Sequence, residues 1–440
     1  MTRPRSDGTN ASDHPGPGGA PLDILVVATR FPLASETFVR QQCADLIALG
    51  HRVDILALRE GDGAWTDAER AIGLPARLHC ARLDAPRAAR VLRTVRDAAW
   101  LAAHAPSAAL RVLTTGDHAL ARRADLLAIA RILDTPDMHA VPRRYHAIHC
   151  HFGPAGLVAL DAMRAGLLDG PLGVGFYGYD LTREPLRRGR DLYAPLFDAR
   201  ALLLPHSGYL AERLAALGAP ADRIALHRLG IDVARFAPVD RSARLDPGGQ
   251  ARPLRALAIG RFVEKKGFAH LLDALARAHP DITLRLVGDG PLRVDLEARC
   301  RARGLCDRVT FAGWRPFDAI ADELAKADVL VAPSVTAADG DMEGLPLVII
   351  EAMATGLPVI GSAHSGIPEV VVDGVTGIVV PERDDVALAA ALDRMRDGPF
   401  RKLSGAAART RVEREFDGTR LAAGLCDRYR RARWPVAKGR

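Results

Sequence analysis

The stretch LPLVIIEAMATGLPVIGS, residues 345–362, predicts a helix that leads directly into a strand. Pro346 suits the first turn of a helix, because the N–H that proline lacks would have no partner there. The segment PVIGS that follows is typical of a short buried strand. Strands separated by helices of this size imply right-handed crossovers and a parallel sheet. This stretch therefore favours an α/β fold.

The same alternation of apolar strands and amphipathic helices extends in both directions. It starts at Leu22 and is interrupted at 233–253, a polar stretch with Pro and Gly and no periodicity, which is the best linker candidate. We predict two facing, doubly wound α/β domains, 22–232 and 254–404, followed by a helical segment at 405–440. In such folds ligands bind at the carboxyl ends of the strands, here in the cleft between the domains.

Two segments depart from this alternation. Residues 1–21 are polar and rich in Gly and Pro, and lack the apolar core of a signal peptide, so we predict a disordered tail. Residues 86–134 are rich in Ala, Arg and Leu with a helical period, and predict an insertion of helices. Arginines recur there at every third position, with a tryptophan close behind: Arg87, Arg90, Arg93, Arg96 and Trp100. A solvated helix face is the favoured interpretation, and docking on anionic lipid is the alternative.

Composition narrows the class of protein. The 440 residues are 48% hydrophobic and 26% charged, as in ordinary soluble globular proteins. The formal charge of +7 favours acidic partners: nucleic acid, an anionic membrane face or phosphorylated small molecules. Only 5% of residues are aromatic and no basic stretch carries interleaved aromatics, so we expect no nucleic-acid partner.

The spacing of the cysteines and the hydropathy of the chain indicate the cellular compartment. The six cysteines are scattered without a C-x-x-C pair, which predicts free thiols in a reducing compartment. No run of eighteen apolar residues occurs, so we expect no membrane span. The chain is predicted to be cytoplasmic, with the inner face of the membrane as a candidate place of contact.

Two glutamates bracket the apolar helix. Glu343 precedes it and Glu351 lies within it, separated by roughly 12 Å at helical rise, about the span of a diphosphate with a sugar at either end. The free amides of Gly344 and Leu345 would form an anion-seeking helix N-terminus between them. Such a segment can grip an extended sugar nucleotide. An ordinary capped helix with a solvated Glu351 accounts for the pattern equally well.

Three further stretches fall on the same edge of the predicted sheet. GRFVEKKG, residues 260–267, places Arg261 and Lys266 in a loop after a strand, where two cations can neutralise a leaving diphosphate. VGDGPLR, residues 287–293, is a Gly-rich turn after the next strand. GSAHSGIPE, residues 361–369, is predicted to open another helix.

Together these motifs resemble family-4 glycosyltransferases, retaining enzymes of the GT-B fold. The resemblance runs from about Leu22 to the C-terminal helix, and its most specific part is the pair Glu343 and Glu351 together with Arg261 and Lys266. The motifs in matching order are GRFVEKKG, LVGDGPL, VTFAGW, EGLPLVIIEAMATGLPVI, SGIPEVV and DGVTGIVV. First-domain motifs resemble the branch that builds bacterial exopolysaccharide, including colanic-acid-type enzymes: FPLASETFV, HCHFG, GYD and GID.

The resemblance implies a role for each matching residue. Arg261 and Lys266 would bind the donor diphosphate, and Glu343 would contact hydroxyls of the transferred sugar. The amides of Gly344 and Leu345 would bind phosphate or sugar. Glu351 would bind the ribose. The implied reaction moves a hexose-type sugar from a nucleotide sugar to a saccharide or lipid-linked acceptor.

The first domain departs from the family at one position. Many relatives carry His before the Gly-x-Asp, whereas FYGYD places Tyr177 there, so His149 or His151 is the candidate histidine, with His151 chosen as catalytic. A phenol is a poor proton shuttle near pH 7. His-x-His could also bind metal, although no third ligand is evident, and a core histidine is the ordinary alternative. Tyr177 and Asp180 are further candidates for sugar contact.

Two further predictions concern the acceptor and the metal. Ser35 is a natural N-cap and Glu36 a favourable first-turn acid, so a structural role competes with acceptor binding. The DGD at 339–341 resembles a metal motif of another transferase fold, but we expect it only to shape a turn. No essential metal and no other cofactor are predicted.

Three other functions are alternatives to sugar transfer. A nucleotide-sugar epimerase can share two facing α/β domains but needs no acceptor. A non-catalytic subunit of a polysaccharide assembly could bind sugar nucleotide without turnover. A dehydrogenase is disfavoured, because the first strand leads into ATRFPLASE without G-x-G-x-x-G.

Overall fold

The computed structural model describes residues 19–83, 86–114, 120–133, 144–241 and 253–431. Most of the predicted tail and much of the predicted linker lie outside these residues.

Two parallel sheets form the centre of the described residues. The strands of the first are β1 (Asp23–Phe31), β2 (Arg52–Glu60), β3 (Leu78–Cys80), β4 (Ala147–His151), β5 (Leu172–Phe176) and β6 (Leu202–Pro205). Those of the second are β7 (Leu254–Ile259), β8 (Ile282–Val287), β9 (Val309–Phe311), β10 (Val329–Ala332), β11 (Val359–Ser362) and β12 (Gly377–Val380). The predicted pair of doubly wound sheets is confirmed.

Helices cover both faces of each sheet. Those up to the end of the first sheet are α1 (Thr37–Ala48), α2 (Asp67–Ala71), α3 (Arg87–His104), α4 (Pro106–Thr114), α5 (Leu120–Leu133), α6 (Gly153–Arg164), α7 (Arg183–Arg188), α8 (Ala194–Asp198) and α9 (Gly208–Ala216). The remainder are α10 (Phe268–Arg277), α11 (Arg293–Ala302), α12 (Ile320–Lys326), α13 (Leu347–Ala354), α14 (Asp385–Arg394), α15 (Gly398–Glu415) and α16 (Gly418–Arg431).

The core follows from the alternation of side chains along the buried strands. In β1, Leu25 and Val27 point to one face and pack with Leu101 and Leu126 of the inserted helices. Ile24 of the same strand points to the opposite face and packs with α1 and α16. Both faces of a parallel strand are therefore buried, as its continuous apolar sequence requires.

Strand order locates the cleft. The sheets run β3-β2-β1-β4-β5-β6 and β12-β11-β10-β7-β8-β9, with parallel neighbours throughout. The order reverses between β1 and β4 and again between β7 and β10. In open α/β sheets ligands bind outside the carboxyl ends of the strands at such reversals. The loops after these four strands are therefore where a site is expected.

The two domains are connected twice. Of the predicted linker 233–253, Val233 and Phe236 are buried in the core of the second domain. At the C-terminal side, Ile231 N–H donates to Phe416 O at 3.0 Å, and Gly418 N–H donates to Ile231 O at 2.9 Å. The described part of the predicted segment 405–440 contains the end of α15, which packs on the second domain, and α16, which crosses to the first.

One prediction for the inserted helices, the solvated arginine face, is contradicted at two positions. Arg90 turns inward to Asp125, at 3.2 Å, and Arg93 donates to the carbonyl of Ala81. The exposed side chains of α3 include Val91 and Leu92, at 65% and 73% exposure. A solvated arginine face is therefore wrong for Arg90 and Arg93, because the half-buried carboxylate of Asp125 and the carbonyl of Ala81 hold these two side chains against the domain.

The length and hydropathy of the helices bear on whether the chain crosses a membrane. Among the described residues, no helix is long and apolar enough to cross a membrane.

Candidate active site

A buried ion cluster lies at the reversal point of the second sheet. Glu343 lies in the loop between β10 and α13, and its carboxylate is 3.2 Å from Lys266 Nζ and 3.4 Å from Lys265 Nζ. Lys265 also pairs with Asp341 at 3.2 Å. The four side chains are only 12–17% exposed. Water screens such a cluster weakly, so its charges interact strongly.

The charge state of Glu343 follows from these neighbours. Burial alone would raise the pKa of this carboxyl, but Lys266 and Lys265 outweigh burial and lower the pKa to about 2. Glu343 is therefore a carboxylate at neutral pH. It can accept hydrogen bonds and hold a cation, but it cannot donate a proton.

Backbone geometry brings the lysines to Glu343. Lys266 ends a short 3₁₀ turn, and Gly267 follows with φ +68°. A Cβ on Gly267 would lie 1.8 Å from Pro333 O at the end of β10, so only glycine allows the loops after β7 and β10 to touch. Val335 N–H donates to Lys265 O at 2.9 Å and closes the contact.

His364 holds the Glu343 loop from behind. The backbone N–H of Glu343 donates to His364 Nε2 at 3.2 Å, so the ring proton is on Nδ1. Nδ1–H in turn donates to Glu382 Oε1 at 2.6 Å. This chain fixes both the tautomer of His364 and the position of Glu343. The helix predicted to open within GSAHSGIPE is a single 3₁₀ turn, Ile367–Glu369.

Free donors lie beside this cluster. Neither the amide of Gly344 nor that of Leu345 has a hydrogen-bond acceptor among the described residues. Arg261, after β7, is exposed and has no ion-pair partner within the described ranges. These groups, with Lys266, can bind an anion such as a diphosphate.

Gly344 is also where the two domains meet. A Cβ there would lie 2.0 Å from Tyr177 O and 2.2 Å from His206 Nε2, both in the first domain. Glycine is therefore required for this close approach. Across the same boundary the Glu369 carboxylate accepts from the N–H groups of Gly208 and Tyr209, at 2.9 and 3.0 Å. It thereby satisfies two open amides at the start of α9.

Glu351 lines a separate small interdomain pocket. It is 5% exposed, and burial raises its pKa to about 7 although Arg235 works to lower it. The pocket is also lined by Thr37 and Phe38 of α1 and by Gly230 from the GID motif.

The first-domain face of the cleft is aromatic. Tyr177 stacks against His151 and His206, with ring centroids 5.6 and 5.8 Å apart, and Phe38 lies 4.6 Å away. The Tyr177 hydroxyl and His151 Nδ1 are 2.8 Å apart. Tyr177 thus occupies the predicted place at the end of β5, and its hydroxyl is directed at His151.

The two histidines of β4 are both buried, at 0% and 1% exposure, and they differ in the tyrosine that each contacts. The Nδ1 of His149 is 2.7 Å from the hydroxyl of Tyr429, so His149 is a core histidine. His151 is the last residue of the strand and contacts Tyr177. Burial, with a smaller contribution from His227, lowers the pKa of His151 to about 3, so the ring is neutral. The Nε2 atoms of both histidines have no partner among the described residues.

The other candidate residues of the first domain have mixed roles. Asp180 is fully buried, and its carboxylate accepts from the N–H groups of Tyr177, Gly178 and Gly153, so it shapes its own loop. Helix α1 begins at Thr37 with Glu36 as N-cap and no side-chain cap. The prediction that Ser35 caps this helix is therefore wrong, since the chain enters the helix two residues later.

The carboxyl of Glu36 nevertheless has a pKa shifted towards neutral pH. Burial, then repulsion from Asp180 and Asp62, raises the pKa of this carboxyl to about 7. Its protonation therefore changes near neutral pH. Burial likewise raises the pKa of Asp180, to about 6.

Both carboxylates of the DGD motif are paired with cations, and Asp339 also accepts from the N–H of Asp341. Asp341 pairs with Lys265, and Asp339 pairs with Arg183 of α7 at 3.3 Å. The described residues contain no group of three side chains that could hold a metal ion.

Four residues of the site were not singled out from the sequence: Lys265, His206, His364 and Glu382. Each lies in or beside a loop at the carboxyl edge of a sheet. Their signal was position alone: a polar residue just after a strand in a doubly wound fold lies at the ligand edge.

Comparison with known proteins agrees with this geometry. Residues 253–397 match the family model described as Glycosyl transferases group 1. A protein of Salmonella typhimurium named as the colanic acid biosynthesis glycosyltransferase WcaL is 36% identical over 84% of this chain and 90% of its own length. The amylovoran biosynthesis glycosyltransferase AmsK of Erwinia amylovora is 34% identical over 90% of this chain and 96% of its own.

Solved structures share the architecture. Alr3699/HepE of Anabaena, determined in complex with UDP, superposes with a TM-score of 0.66 at 20% identity, covering 92% of this chain and 99% of its own. The predicted GT-B fold is confirmed. The chain belongs to the family of these relatives, the group 1 glycosyltransferases.

Proposed function

We propose that this glycosyltransferase moves a hexose-type sugar from a nucleotide sugar to a saccharide or lipid-linked acceptor in bacterial polysaccharide biosynthesis, with retention of the anomeric configuration. The observation that carries the proposal is the buried Glu343 carboxylate, held by Lys265 and Lys266 at the reversal point of the second sheet. The names of the colanic acid and amylovoran relatives support the pathway class.

The donor binds to the second domain. Arg261, Lys266 and the amides of Gly344 and Leu345 hold the diphosphate, because all four are cationic or open donors in one region. Lys266 exchanges part of its pairing with Glu343 for phosphate oxygens. The complexes of HepE with UDP and with UDP-glucose support a nucleotide-sugar ligand for this fold.

Glu343 and Glu351 hold the two ends of the donor. Glu343, freed from part of its lysine pairing, accepts hydrogen bonds from hydroxyls of the transferred sugar. Glu351 accepts from the ribose in the interdomain pocket. Its raised pKa makes this contact sensitive to protonation near neutral pH.

Retention is implied by the resemblance to the retaining family-4 glycosyltransferases, and the states of the two candidate catalytic residues support it. Glu343 is paired with two lysines, and the His151 ring is neutral with its pKa lowered to about 3, so neither is a strong base for activating an acceptor from the opposite face. The acceptor oxygen therefore bonds to the anomeric carbon on the face that the diphosphate leaves. The acceptor proton passes to an oxygen of the departing phosphate. Proton NMR of the first product tests this step, and an anomeric configuration opposite to that of the donor would overturn it.

The acceptor is held by the first domain. Tyr177, with its hydroxyl directed at His151, forms an aromatic face suited to a sugar ring, and Glu36 supplies an acid that can change protonation near pH 7. No metal is required, since Arg261, Lys266 and the open amides can balance the charge of the leaving diphosphate.

The protein works at the cytoplasmic face of the membrane. Val91, Leu92 and Val95 form an exposed apolar face of α3, and the 71% exposed Arg96 lies beside it. Apolar and cationic groups on one helix suit an anionic bilayer. Co-sedimentation with vesicles containing anionic lipid, compared with neutral vesicles, tests the contact. Equal recovery with Leu92→Ser would exclude it.

A panel of UDP- and GDP-hexoses tests the activity. The purified protein is incubated with and without a saccharide acceptor, and release of the nucleoside diphosphate is measured. We expect acceptor-dependent release, lost in Glu343→Gln. An altered free sugar nucleotide without acceptor would indicate an epimerase, and binding without release would indicate a non-catalytic subunit.

A further inference from the structure

A second cavity, of about 350 Å³, lies in the first domain between the sheet edge and the inserted helices. Helices α3, α5, α6 and α7 and the ends of β1 and β2 form its wall. Its charged lining residues are Arg59, Arg90, Arg122, Arg188, Asp125 and Asp161. None of them belongs to the donor site described above.

Two of the four arginines are occupied by carboxylates. Arg90 contacts Asp125 at 3.2 Å, and Arg122 contacts Asp161. The other two are held less closely. Arg59 is exposed and forms no ion pair with any described residue, and the ion pair of the 49% exposed Arg188 with Glu184 is long, at 3.8 Å. The lining therefore carries four positive and two negative charges, and it attracts an anion.

The rest of the wall is apolar. Leu58, Leu83, Leu126 and Leu157 line the cavity beside the arginines. Thr29 lines it as well, and its hydroxyl has no hydrogen-bond partner among the described residues. A ligand that fits such a lining has an anionic group attached to an apolar chain.

The cavity also lies at the edge where an acceptor must arrive. Thr29 is near the carboxyl end of β1, and Pro154 follows the β4 loop that carries His151. Helix α7, which carries Arg188, also carries Arg183, and Arg183 pairs with Asp339 of the donor domain. Helix α7, which forms one wall of the cavity, is thus in contact with the donor domain at the catalytic cleft.

We propose that this cavity binds the phosphate group and first apolar chain segment of a lipid-linked acceptor. This rests on the proposed function, and it identifies Arg59 and Arg188 as the anion-binding groups of the acceptor. The inserted helices then select for acceptors that carry phosphate next to a hydrocarbon chain.

Binding to the full-length chain tests the proposal. Farnesyl diphosphate is titrated by calorimetry into the wild type, the double variant Arg59→Ala/Arg188→Ala, and a control, Arg164→Ala, which removes an exposed arginine of α6 outside the lining. We expect the double variant to bind at least tenfold more weakly and the control to bind as the wild type does. Equal binding by a folded double variant overturns the proposal.

Two probes separate the parts of the ligand. Inorganic pyrophosphate tests the anion alone and farnesol the apolar chain alone, and each should bind more weakly than farnesyl diphosphate. A Lys266→Ala background removes a cation of the donor site. If farnesyl diphosphate binding disappears in that background, the probe occupies the donor site and the proposal is wrong.

A variant with the opposite expected effect guards against misfolding. Asp125→Asn releases Arg90 from its carboxylate, so we expect farnesyl diphosphate to bind several-fold more tightly. Weaker or unchanged binding would contradict the proposal. Failure of this proposal can be told from failure of the proposed function. All cavity variants should hydrolyse the donor without acceptor at the wild-type rate. If no nucleotide sugar is a substrate, the proposed transferase activity is wrong, but the binding result for the cavity still holds.

Discussion

Lys266 Nζ lies 3.2 Å from Glu343 Oε2, and both side chains are largely buried at the carboxyl edge of the second sheet. Lys265 occupies the other carboxylate oxygen at 3.4 Å. Lys265 is also paired with Asp341, so the cluster contains two ammonium and two carboxylate groups, and Lys266 pairs with Glu343 alone among the described residues. Lys266 can therefore turn to an incoming phosphate while Lys265 keeps Glu343 ionised and in place.

The first prediction concerns the donor. Lys266→Ala removes a charged donor to the diphosphate, so affinity for the nucleoside diphosphate should fall by about 1.5–3 kcal/mol. Calorimetry measures this change. Lys402→Ala, at an exposed position of α15, is the matched control and should bind normally. Unchanged affinity in a folded Lys266→Ala protein would discard the role of Lys266.

The second prediction separates binding from turnover. Glu343→Gln keeps the shape of the side chain but removes the charge, so sugar transfer should fall by at least about 10²-fold while nucleoside diphosphate binding persists. Between pH 5 and 8, the pH dependence of the wild-type rate should contain no titration of Glu343, because the pKa of this carboxyl is lowered to about 2. Steady-state kinetics over this pH range and calorimetry on the variant measure both. Loss of nucleotide binding together with turnover would place Glu343 in binding instead.

The fold was predictable because its signals are local and repeated. Apolar strands such as LDILVVAT and helices of matching period specify two doubly wound sheets, and the sheets place residues after β7 and β10 at one edge. The pairing of Glu343 with Lys265 was not predictable, because it depends on contact between two loops that only Gly267 permits. The inward turn of Arg90 and Arg93 was missed for a related reason. Periodicity tells which residues share a helix face, but not which oxygens that face meets.

The third prediction concerns Glu351. Burial raises its pKa to about 7, so the folded state binds this proton more tightly than the unfolded state does. The resulting stability is fully present below the unfolded pKa, near 4.5, and is lost as pH rises through about 7. Glu351→Gln removes the titration. At pH 8 it should exceed the wild type by roughly 1–3 kcal/mol, and this gain should vanish towards pH 4.5. Urea unfolding at several pH values measures the difference, and a gap that does not change with pH would contradict the burial argument.

The fourth prediction concerns domain closure. The Glu369 carboxylate of the second domain accepts from Gly208 and Tyr209 at the start of α9 in the first domain. Glu369→Gln retains one acceptor oxygen but loses the charge that favours the positive helix end. We expect kcat/KM to fall several-fold with little change in thermal stability. Glu212→Gln, an exposed position on α9 itself, is the control and should leave kcat/KM unchanged. Equal kinetics in both variants would exclude a role for this contact in closure.

The last prediction concerns metal. The diphosphate gains negative charge as it leaves, and this charge must be balanced by a divalent ion or by groups of the protein. Arg261, Lys266 and the open amides beside Glu343 are available for this balance, whereas Asp339 and Asp341 are each engaged by a cation, Arg183 and Lys265. We expect sugar transfer to persist in EDTA at close to its original rate. Asp339→Asn should affect turnover only through the interdomain contact with Arg183, so added Mg²⁺ or Mn²⁺ should not alter the rate of wild type or variant. Complete inactivation by EDTA, reversed by Mg²⁺ or Mn²⁺ in the wild type but not in Asp339→Asn, would return these aspartates to the reaction centre.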